Sequence, residues 1–324
     1  MPSTSLPSYD ELPVVPGAPA GSSWGLWGET DVLGCLNLLT SERVTAGLAC
    51  AVRGDVFNLN LELELPDPPL FDRSAFEHVV HDFVVGHDDE LSGLNTQSSS
   101  QWDGFRHIRH PVHGHYNGVA DEEHGIHHWA RRGIVGRAVL ADVARWRASV
   151  GRPVDPAAAS VIEVDDLHAT LDAEGVALEV GDIVLLRTGW LDWYRRLGPE
   201  QRQEVARSTG PACGLRRGVE TARGLWDMHI AAIAADNPSL EVMPFGRQRD
   251  ARPETWGDDP AAASEVMLHF SLLPLLGLPI GELFDLDALA EDCAVDGRYS
   301  CLLVSAPLNL AAGVASPPNA LAIK

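Results

Sequence analysis

Cysteine and positive charge are both scarce in this chain of 324 residues. The five cysteines are odd in number and widely scattered, with no C-x-x-C pair, which indicates reduced core residues. Arginine and lysine together number 24 against 46 aspartates and glutamates, so the formal net charge is −22. A charge of this size repels phosphate backbones and anionic lipid head groups, which argues against nucleic-acid and membrane-surface partners.

Several longer signals are also missing. No run of eighteen apolar residues occurs, and the start of the chain lacks a basic stretch followed by an apolar one, so the sequence predicts a cytoplasmic protein. The G-x-G-x-x-G and G-x-x-x-x-G-K-[ST] fingerprints are absent. The one G-x-S-x-G match, "GSSWG" at 21–25, follows a Pro-rich stretch instead of a strand. Nucleotide-cofactor enzymes and α/β-hydrolases are therefore disfavoured.

What is present is the pattern of an α/β protein. Residues 1–23 are rich in Pro, Ser and Gly and predict an N-terminal arm, and residues 24–324 show no internal linker and predict one domain. A helix is predicted at 40–54, with Thr40 as its N-cap and Val44, Leu48 and Ala51 on its buried face. A strand is predicted at 56–65 from strict alternation. Further strands are predicted at 78–86, 137–143, 182–189, 230–236 and 299–307, and further helices at 163–175 and 263–277, the last bent or shortened by Pro274.

Histidines concentrate in one third of the chain. Ten of the thirteen lie between His78 and His128, and "SSSQWDGFRHIRHPVHGH" at 98–115 holds four of them with one carboxylate, Asp103. Gln101 and Asp103 are two apart, so on a strand both side chains point to the same face and their oxygens can meet one cation. His107 follows Asp103 at a spacing of four.

A second pair of polar residues stands among apolar neighbours. His269 precedes Glu282 by thirteen residues in "HFSLLPLLGLPIGEL", where a buried imidazole and carboxylate need partners to offset their desolvation. A core histidine with an exposed glutamate remains the alternative. "AADNPSLEV" at 234–242 is a strand running into a turn, where ligand-binding groups of α/β sheets commonly lie, although turn chemistry alone also explains it.

The segment "QSSSQWDGFRH" resembles the signature H-x-G-T-H-x-D-x-x-x-H of the cyclase family, the metal-dependent hydrolases that include bacterial kynurenine formamidase and isatin hydrolase. Segments 181–190, 232–241, 269–283 and 305–324 are similar as well. The resemblance implies a swivelling β/β/α fold with a mixed sheet, a homodimer or larger homo-oligomer, and divalent ions at the signature. It further implies that Asp103, His269 and Glu282 are metal ligands and that His107 is the general base.

Both leading metal histidines of the signature are glutamines here, Gln97 and Gln101, and its Gly-Thr is Ser99-Ser100. An amide oxygen is a weaker donor than imidazole, so the first metal position of the family is expected to be lost. The second set is intact, and Gln101 can assist it. The sequence therefore predicts one divalent ion, for which the oxygen-rich shell suits Mn²⁺ at least as well as Zn²⁺.

These features lead to three hypotheses. The first is a hydrolase of an amide or lactone acyl bond in a small cyclic or aryl molecule, in which His107 takes a proton from water and later delivers it to the leaving group. Asp103 supports this chemistry, and the expected substrate contacts are Gln97, Trp102, Phe105, His115, Tyr116 and Trp129. The second is a metal-free cyclase or dehydratase that uses His107 and Asp103 as acid and base. The third is a non-catalytic small-molecule-binding protein on the same fold.

Overall fold

The computed structural model describes residues 6–207, 210–245 and 260–324. Its centre is a nine-stranded mixed sheet in the order β1-β13-β11-β5-β7-β9-β10-β4-β12. These strands are β1 Val56–Asn58, β4 Gln101–Asp103, β5 Ile134–Ala141, β7 Ile183–Leu186, β9 Ala232–Ala235, β10 Ile280–Glu282, β11 Ser300–Ser305, β12 Ala315–Ser316 and β13 Ala320–Ile323. Two small sheets stand apart from it, the hairpin of β2 Glu77–Phe83 with β3 Gly86–Ser92 and the parallel pair of β6 Val161–Ile162 with β8 Gly214–Leu215.

The middle of the large sheet is parallel and buried on both faces. Strands β5, β7, β9 and β10 run parallel, and every residue of β7 and β9 is buried. Continuous apolar runs such as "IVLL" suit strands that are covered on both sides. The flanking pairs β5–β11, β11–β13 and β10–β4 are antiparallel. The predicted α/β fold with a mixed sheet is confirmed.

Ten α-helices are described along the chain. They are α1 Ser41–Cys50, α2 His127–Arg132, α3 Val143–Ser149, α4 Val164–Glu174, α5 Trp190–Arg195, α6 Pro199–Arg207, α7 Val219–Asp227, α8 Pro260–Val266, α9 His269–Leu272 and α10 Asp287–Asp296. Among these described helices, none combines the length and the apolar character needed to cross a membrane.

Helix α1 packs on β5 through a residue that the sequence pattern overlooks. Its buried position is Gly47, whose missing Cβ would lie 2.8 Å from the carbonyl carbon of Gly136. Leu48, which was expected on the buried face, is 58% exposed. The close approach of two glycine backbones sets the rotation of this helix, so the prediction of the helix is right and the prediction of its buried face is wrong.

Two predicted elements are shorter than expected. The alternating run at 56–65 forms a strand only over β1, because β13 offers it three residue partners before the chain turns away. The predicted helix at 263–277 is divided into α8 and α9. The backbone N–H of Leu268 donates to the Glu241 side chain at 2.9 Å, which takes it out of the helical hydrogen-bond pattern. The first break therefore comes before His269, and α9 then ends at Leu272, two residues before Pro274, so the expected shortening at this proline is also found.

The described part of the N-terminal arm lies on α7 of its own chain. The backbone N–H of Tyr9 donates to Asp227 at 2.7 Å, and the Trp226 indole donates to the carbonyl oxygen of Pro7 at 2.9 Å. The guanidinium of Arg223 covers the Tyr9 ring at 4.9 Å. These contacts hold the arm against the rest of its own chain. The domain boundary at residue 23 stays a prediction.

Candidate metal centre and substrate cavity

The register between β4 and β10 places three polar side chains together. Gln101 pairs with Glu282 and Asp103 with Ile280 in this antiparallel ladder. Because side chains alternate along a strand, Gln101 and Asp103 share one face, which is also the face of Glu282. Trp102 points to the opposite face, where its ring packs on Phe284 with centroids 5.0 Å apart. The period-two argument from the sequence therefore describes the geometry of this strand.

His269 completes the group from the start of α9. Its Nε2 lies 3.2 Å from Oε1 of Glu282 and 3.8 Å from Oδ2 of Asp103. One ligand atom from each of these three residues falls within 4.8 Å of the others, and all three side chains are buried. Asp103 is far in sequence from His269 and Glu282, and the pairing of β4 with β10 brings it to them.

Two buried oxygens in this group have no hydrogen-bond partner. They are Oδ2 of Asp103 and Oε1 of Gln101. An unpaired buried acceptor is costly, since it has given up water without a replacement. A divalent cation would satisfy Oδ2 of Asp103, which lies 3.8 Å from Nε2 of His269, and the Gln101 side chain is on the same face of β4. A carboxylate, an amide oxygen, a second carboxylate and an imidazole form an oxygen-rich set that fits Mn²⁺ and also suits Zn²⁺.

Glu241 supports His269 from behind, and the sequence interpretation did not single it out. Its Oε2 lies 2.7 Å from Nδ1 of His269, and its Oε1 accepts the N–H of Leu268. The Glu241 side chain is fully buried. A carboxylate that accepts the Nδ1 proton of a ligating histidine fixes the ring and makes Nε2 the metal-facing atom. "AADNPSLEV" was noted as a strand end, but nothing local distinguished its glutamate.

The two glutamines that replace the signature histidines act as hydrogen-bond donors. The side-chain N–H₂ of Gln101 donates to Oε2 of Glu282 at 2.5 Å, and that of Gln97 donates to Oδ1 of Asp103 at 2.7 Å. The same Gln97 nitrogen lies 3.0 Å from Nδ1 of His107. A carboxylate only accepts hydrogen bonds, so the Gln97 amide must direct its nitrogen toward both neighbours. Neutral His107 then carries its proton on Nε2.

The buried charges shift each other's pKa values. Burial acts to raise the pKa of Asp103, but His107 and His269 outweigh it and hold that pKa below its usual range. Burial and the charge of Asp103 raise the pKa of Glu282 to about 7. Burial opposes a charge on His269, yet Glu241, Asp103 and Glu282 raise its pKa well above the ordinary value. Burial lowers the pKa of His107. Without a metal, the site therefore holds a proton on His269 that a cation must displace.

A cavity of about 290 Å³ opens onto this group. His107, His269 and Glu282 are among its lining residues. Most of its wall is apolar, and the remaining lining residues are Phe71, Arg73, Ile108, Pro238, Ser239, Phe245, Val266, Met267 and Phe270. This composition, with a few polar groups among apolar walls, is typical of a small-molecule site.

The aromatic residues expected to contact substrate lie elsewhere. Trp102, Phe105, Tyr116 and Trp129 are buried in the core, and none of them is among the described residues that line the cavity. The Phe105 ring packs on Tyr116 at 4.8 Å and on Trp129 at 5.0 Å. Residues that are close in sequence to a strand of the site can still face away from the site, as these four aromatic residues do. Their assignment as cavity walls is corrected to the apolar residues named above.

The histidines after His107 form structural contacts. Nδ1 of His115 lies 3.0 Å from the carbonyl oxygen of Phe105, and its Nε2 lies 3.2 Å from Asp121. His115 is not among the described residues that line the cavity. His110 stacks on His113 with ring centroids 4.7 Å apart. Burial, together with the charge of His113, lowers the pKa of His110 to about 4. These rings hold the turn that follows His107 instead of ligating an ion.

The comparisons with known proteins agree with this architecture. The Cyclase family model matches residues 48–242, which include Gln97, His107 and Glu241. The chain is similar to a crystal structure of a novel cyclase, with 28% identity, a TM-score of 0.79 and coverage of 94% of this chain and 97% of that one. No curated protein matches it.

Isatin hydrolases share the fold at lower identity. One bound to the product analogue thioisatinate has 18% identity and a TM-score of 0.55, and covers 87% of this chain and 98% of its own. Isatin hydrolase A from Labrenzia aggregata bound to benzyl benzoate has 18% identity and a TM-score of 0.53, with coverage of 87% and 97%. Because the family model spans more than half of the sequence, the chain belongs to the cyclase family.

Proposed function

We propose that this protein is a hydrolase that uses one divalent metal ion to cleave an amide or lactone acyl bond in a small cyclic or aryl molecule. The observation that carries the proposal is the pair of unpartnered buried oxygens, on Asp103 and Gln101, beside His269 and Glu282. Family membership and the apolar cavity at the same point support it.

Four residues would hold the ion, which we expect to be Mn²⁺ or Zn²⁺. Asp103, His269 and Glu282 provide charged or strongly basic donors, and Gln101 adds an amide oxygen. When bound, such an ion supplies an acidified water and polarises the carbonyl of the substrate. Glu241 orients the His269 ring, and Gln97 orients the Asp103 carboxylate through its 2.7 Å hydrogen bond.

His107 is the residue we propose to move protons. It lines the cavity, and its Nε2 is 4.0 Å from Oδ1 of Asp103. In the neutral ring the Gln97 amide faces Nδ1 and the proton is on Nε2, so taking a proton from water at Nε2 requires the other tautomer and the loss of the Gln97 contact. The imidazolium formed in that step then delivers a proton to the leaving group, so His107 acts first as the base and then as the acid.

A metal-free cyclase or dehydratase is the second candidate, and one observation favours it. The amide nitrogens of Gln97 and Gln101 each donate to a carboxylate of the site, so part of the charge that an ion would neutralise is already stabilised by hydrogen bonds. His107 and Asp103 would then act as acid and base. A non-catalytic small-molecule-binding protein would use the same cavity without turnover.

The deciding experiment is metal content by mass spectrometry on protein purified without chelator or polyhistidine tag. We expect about one Mn or Zn per chain, lost in Asp103→Ala and His269→Ala. Asp236→Asn is the matched control, since Asp236 is an equally buried carboxylate that accepts from Thr188 and Gly189 and lies outside the ligand group. Thermal unfolding shows whether each variant folds. A parent protein that takes up neither ion, and turns over substrate in the presence of chelator, would establish the metal-free reading.

We also propose a homodimer, formed through the hairpin of β2 and β3. The side chains of Val84 and Val85 at the hairpin tip are exposed, as are Val80 and Phe83. Apolar residues that stand out from the protein in this way commonly mark a protein interface. Light scattering should show a dimer in the parent and a monomer in a Val84→Asp, Val85→Asp variant. A parent that is monomeric at all concentrations would contradict it.

A further inference from the structure

One cationic side chain enters the substrate cavity. Arg73 is the only arginine or lysine among the described residues that line it. In a chain with a net charge of −22, an arginine directed into an apolar cavity stands out, because most basic side chains have acidic neighbours available. The buried Arg187, for comparison, forms ion pairs with Asp142 and Asp287.

Arg73 has no acidic partner in the described part of the chain. Its Nη1 donates to the backbone carbonyl oxygen of Gln97, and its guanidinium lies 5.1 Å from the centre of the Phe71 ring. No described residue accepts a hydrogen bond from its Nε or Nη2. These two atoms form one edge of the planar guanidinium, the edge that binds a carboxylate with two parallel hydrogen bonds.

The hydrogen bond from Arg73 to the Gln97 carbonyl oxygen also fixes where a ligand of Arg73 would lie. Gln97 receives Arg73 at its backbone carbonyl, while its side chain contacts Asp103 and His107. A group bound by Arg73 therefore lies in the same cavity as His107.

We infer that Arg73 binds a carboxylate of the substrate, so that the substrate is an amide or lactone carrying a separate carboxylate group beside the bond that is cleaved. This inference rests on the proposed function and adds the substrate class to it. The net negative charge of the protein disfavours anions at long range, and Arg73 supplies the local attraction that overcomes it. The apolar walls would cover the remainder of a ring-sized molecule.

The test uses two unreactive probes of the same shape, benzoate and benzamide, whose binding is followed by calorimetry in metal-free and Mn²⁺-loaded full-length protein. Arg73→Met is compared with Arg109→Met. Arg109 is an exposed arginine near His107 that does not line this cavity, and its removal changes the net charge equally. We expect benzoate to bind the parent and the Arg109 variant, and the Arg73 variant roughly tenfold to a hundredfold more weakly, with benzamide unchanged.

Three outcomes would overturn the inference. They are the absence of benzoate binding in the parent, equal losses in both variants, and benzoate binding that needs Mn²⁺ but not Arg73, which would mean that the ion holds the carboxylate. Failure of the proposed function looks different. If the protein hydrolyses no amide or lactone, but Arg73→Met still weakens benzoate binding and leaves benzamide binding unchanged, the carboxylate site is supported and the hydrolase proposal is contradicted.

Discussion

Glu241→Gln removes one negative charge behind His269 while keeping the volume of the side chain. In the structure the Glu241 carboxylate accepts two hydrogen bonds, one from the Leu268 backbone and one from the His269 ring. Glutamine has a single acceptor oxygen, so its N–H₂ must face one of these donors. The His269 ring would then lose its fixed orientation, its Nδ1 proton partner, or both.

The expected effect is a loss of metal affinity. Changes to the groups that orient a ligating histidine typically weaken binding about 10- to 100-fold, which corresponds to about 1.4–2.8 kcal/mol. Removing Glu241 also lowers the pKa of His269, because that carboxylate is the main group that raises it. A lower pKa makes it easier for a metal ion to displace the proton of His269, which would raise the metal affinity of the variant. The two proteins should therefore be compared at alkaline pH, where protons compete least with the metal.

The assay is a Mn²⁺ titration at pH 8.5, followed by electron paramagnetic resonance of the free ion. Asp236→Asn serves as the control, because it also removes a buried charge close to the sheet without touching a ligand. We expect both variants to lose stability and only Glu241→Gln to lose affinity. An affinity within twofold of the parent would show that Glu241 does not orient the metal-binding ring, and the reasoning from the 2.7 Å contact would fail.

Three further predictions concern pH, packing and charge. The pKa of His269 is raised and that of Glu282 is about 7, so protons compete with a metal ion for both side chains. The affinity for Mn²⁺ should therefore fall at least tenfold between pH 7 and pH 6, and equal affinities at the two pH values would refute this. Gly47→Ala should lower the free energy of unfolding in urea by about 1–3 kcal/mol, against the gain that alanine normally brings to a helix. Arg137→Met should lower the free energy of unfolding by about 3 kcal/mol, because the buried carboxylate of Asp182 loses the guanidinium that lies 2.6 Å away. Adding Asp182→Asn to the same variant should restore part of that free energy.

The sequence predicts most of the sheet because its central strands are continuous apolar runs with no competing pattern. It predicts Gln101 and Asp103 on one face because period two is a local property of a strand. The sequence context singles out His269 and Glu282 as a candidate pair, but their role as ligands beside Asp103 came from the resemblance. Their meeting with Asp103 depends on the pairing of β10 with β4, which no local pattern encodes.

The missed residues act through tertiary contacts. Glu241 follows a turn and becomes important only because α9 begins against it, and Arg73 lies in a loop whose course is set by the rest of the fold. The aromatic residues near the signature were assigned to the cavity because sequence proximity does not reveal on which side of a strand a ring packs. The same limit explains Leu48, whose helix turns toward the sheet through a pair of glycines.

The ladder between β4 and β10 has a consequence for how the protein would acquire the proposed ion. Asp103 and Glu282 are fixed by backbone pairing, so folding itself meets the entropic cost of closing the long loop between them. An ion that arrives later does not have to organise the chain, in contrast to structural zinc sites whose binding energy drives folding. The metal should therefore exchange without unfolding the protein, and the ion present in the cell would be determined by supply and by ligand preference instead of being trapped at synthesis.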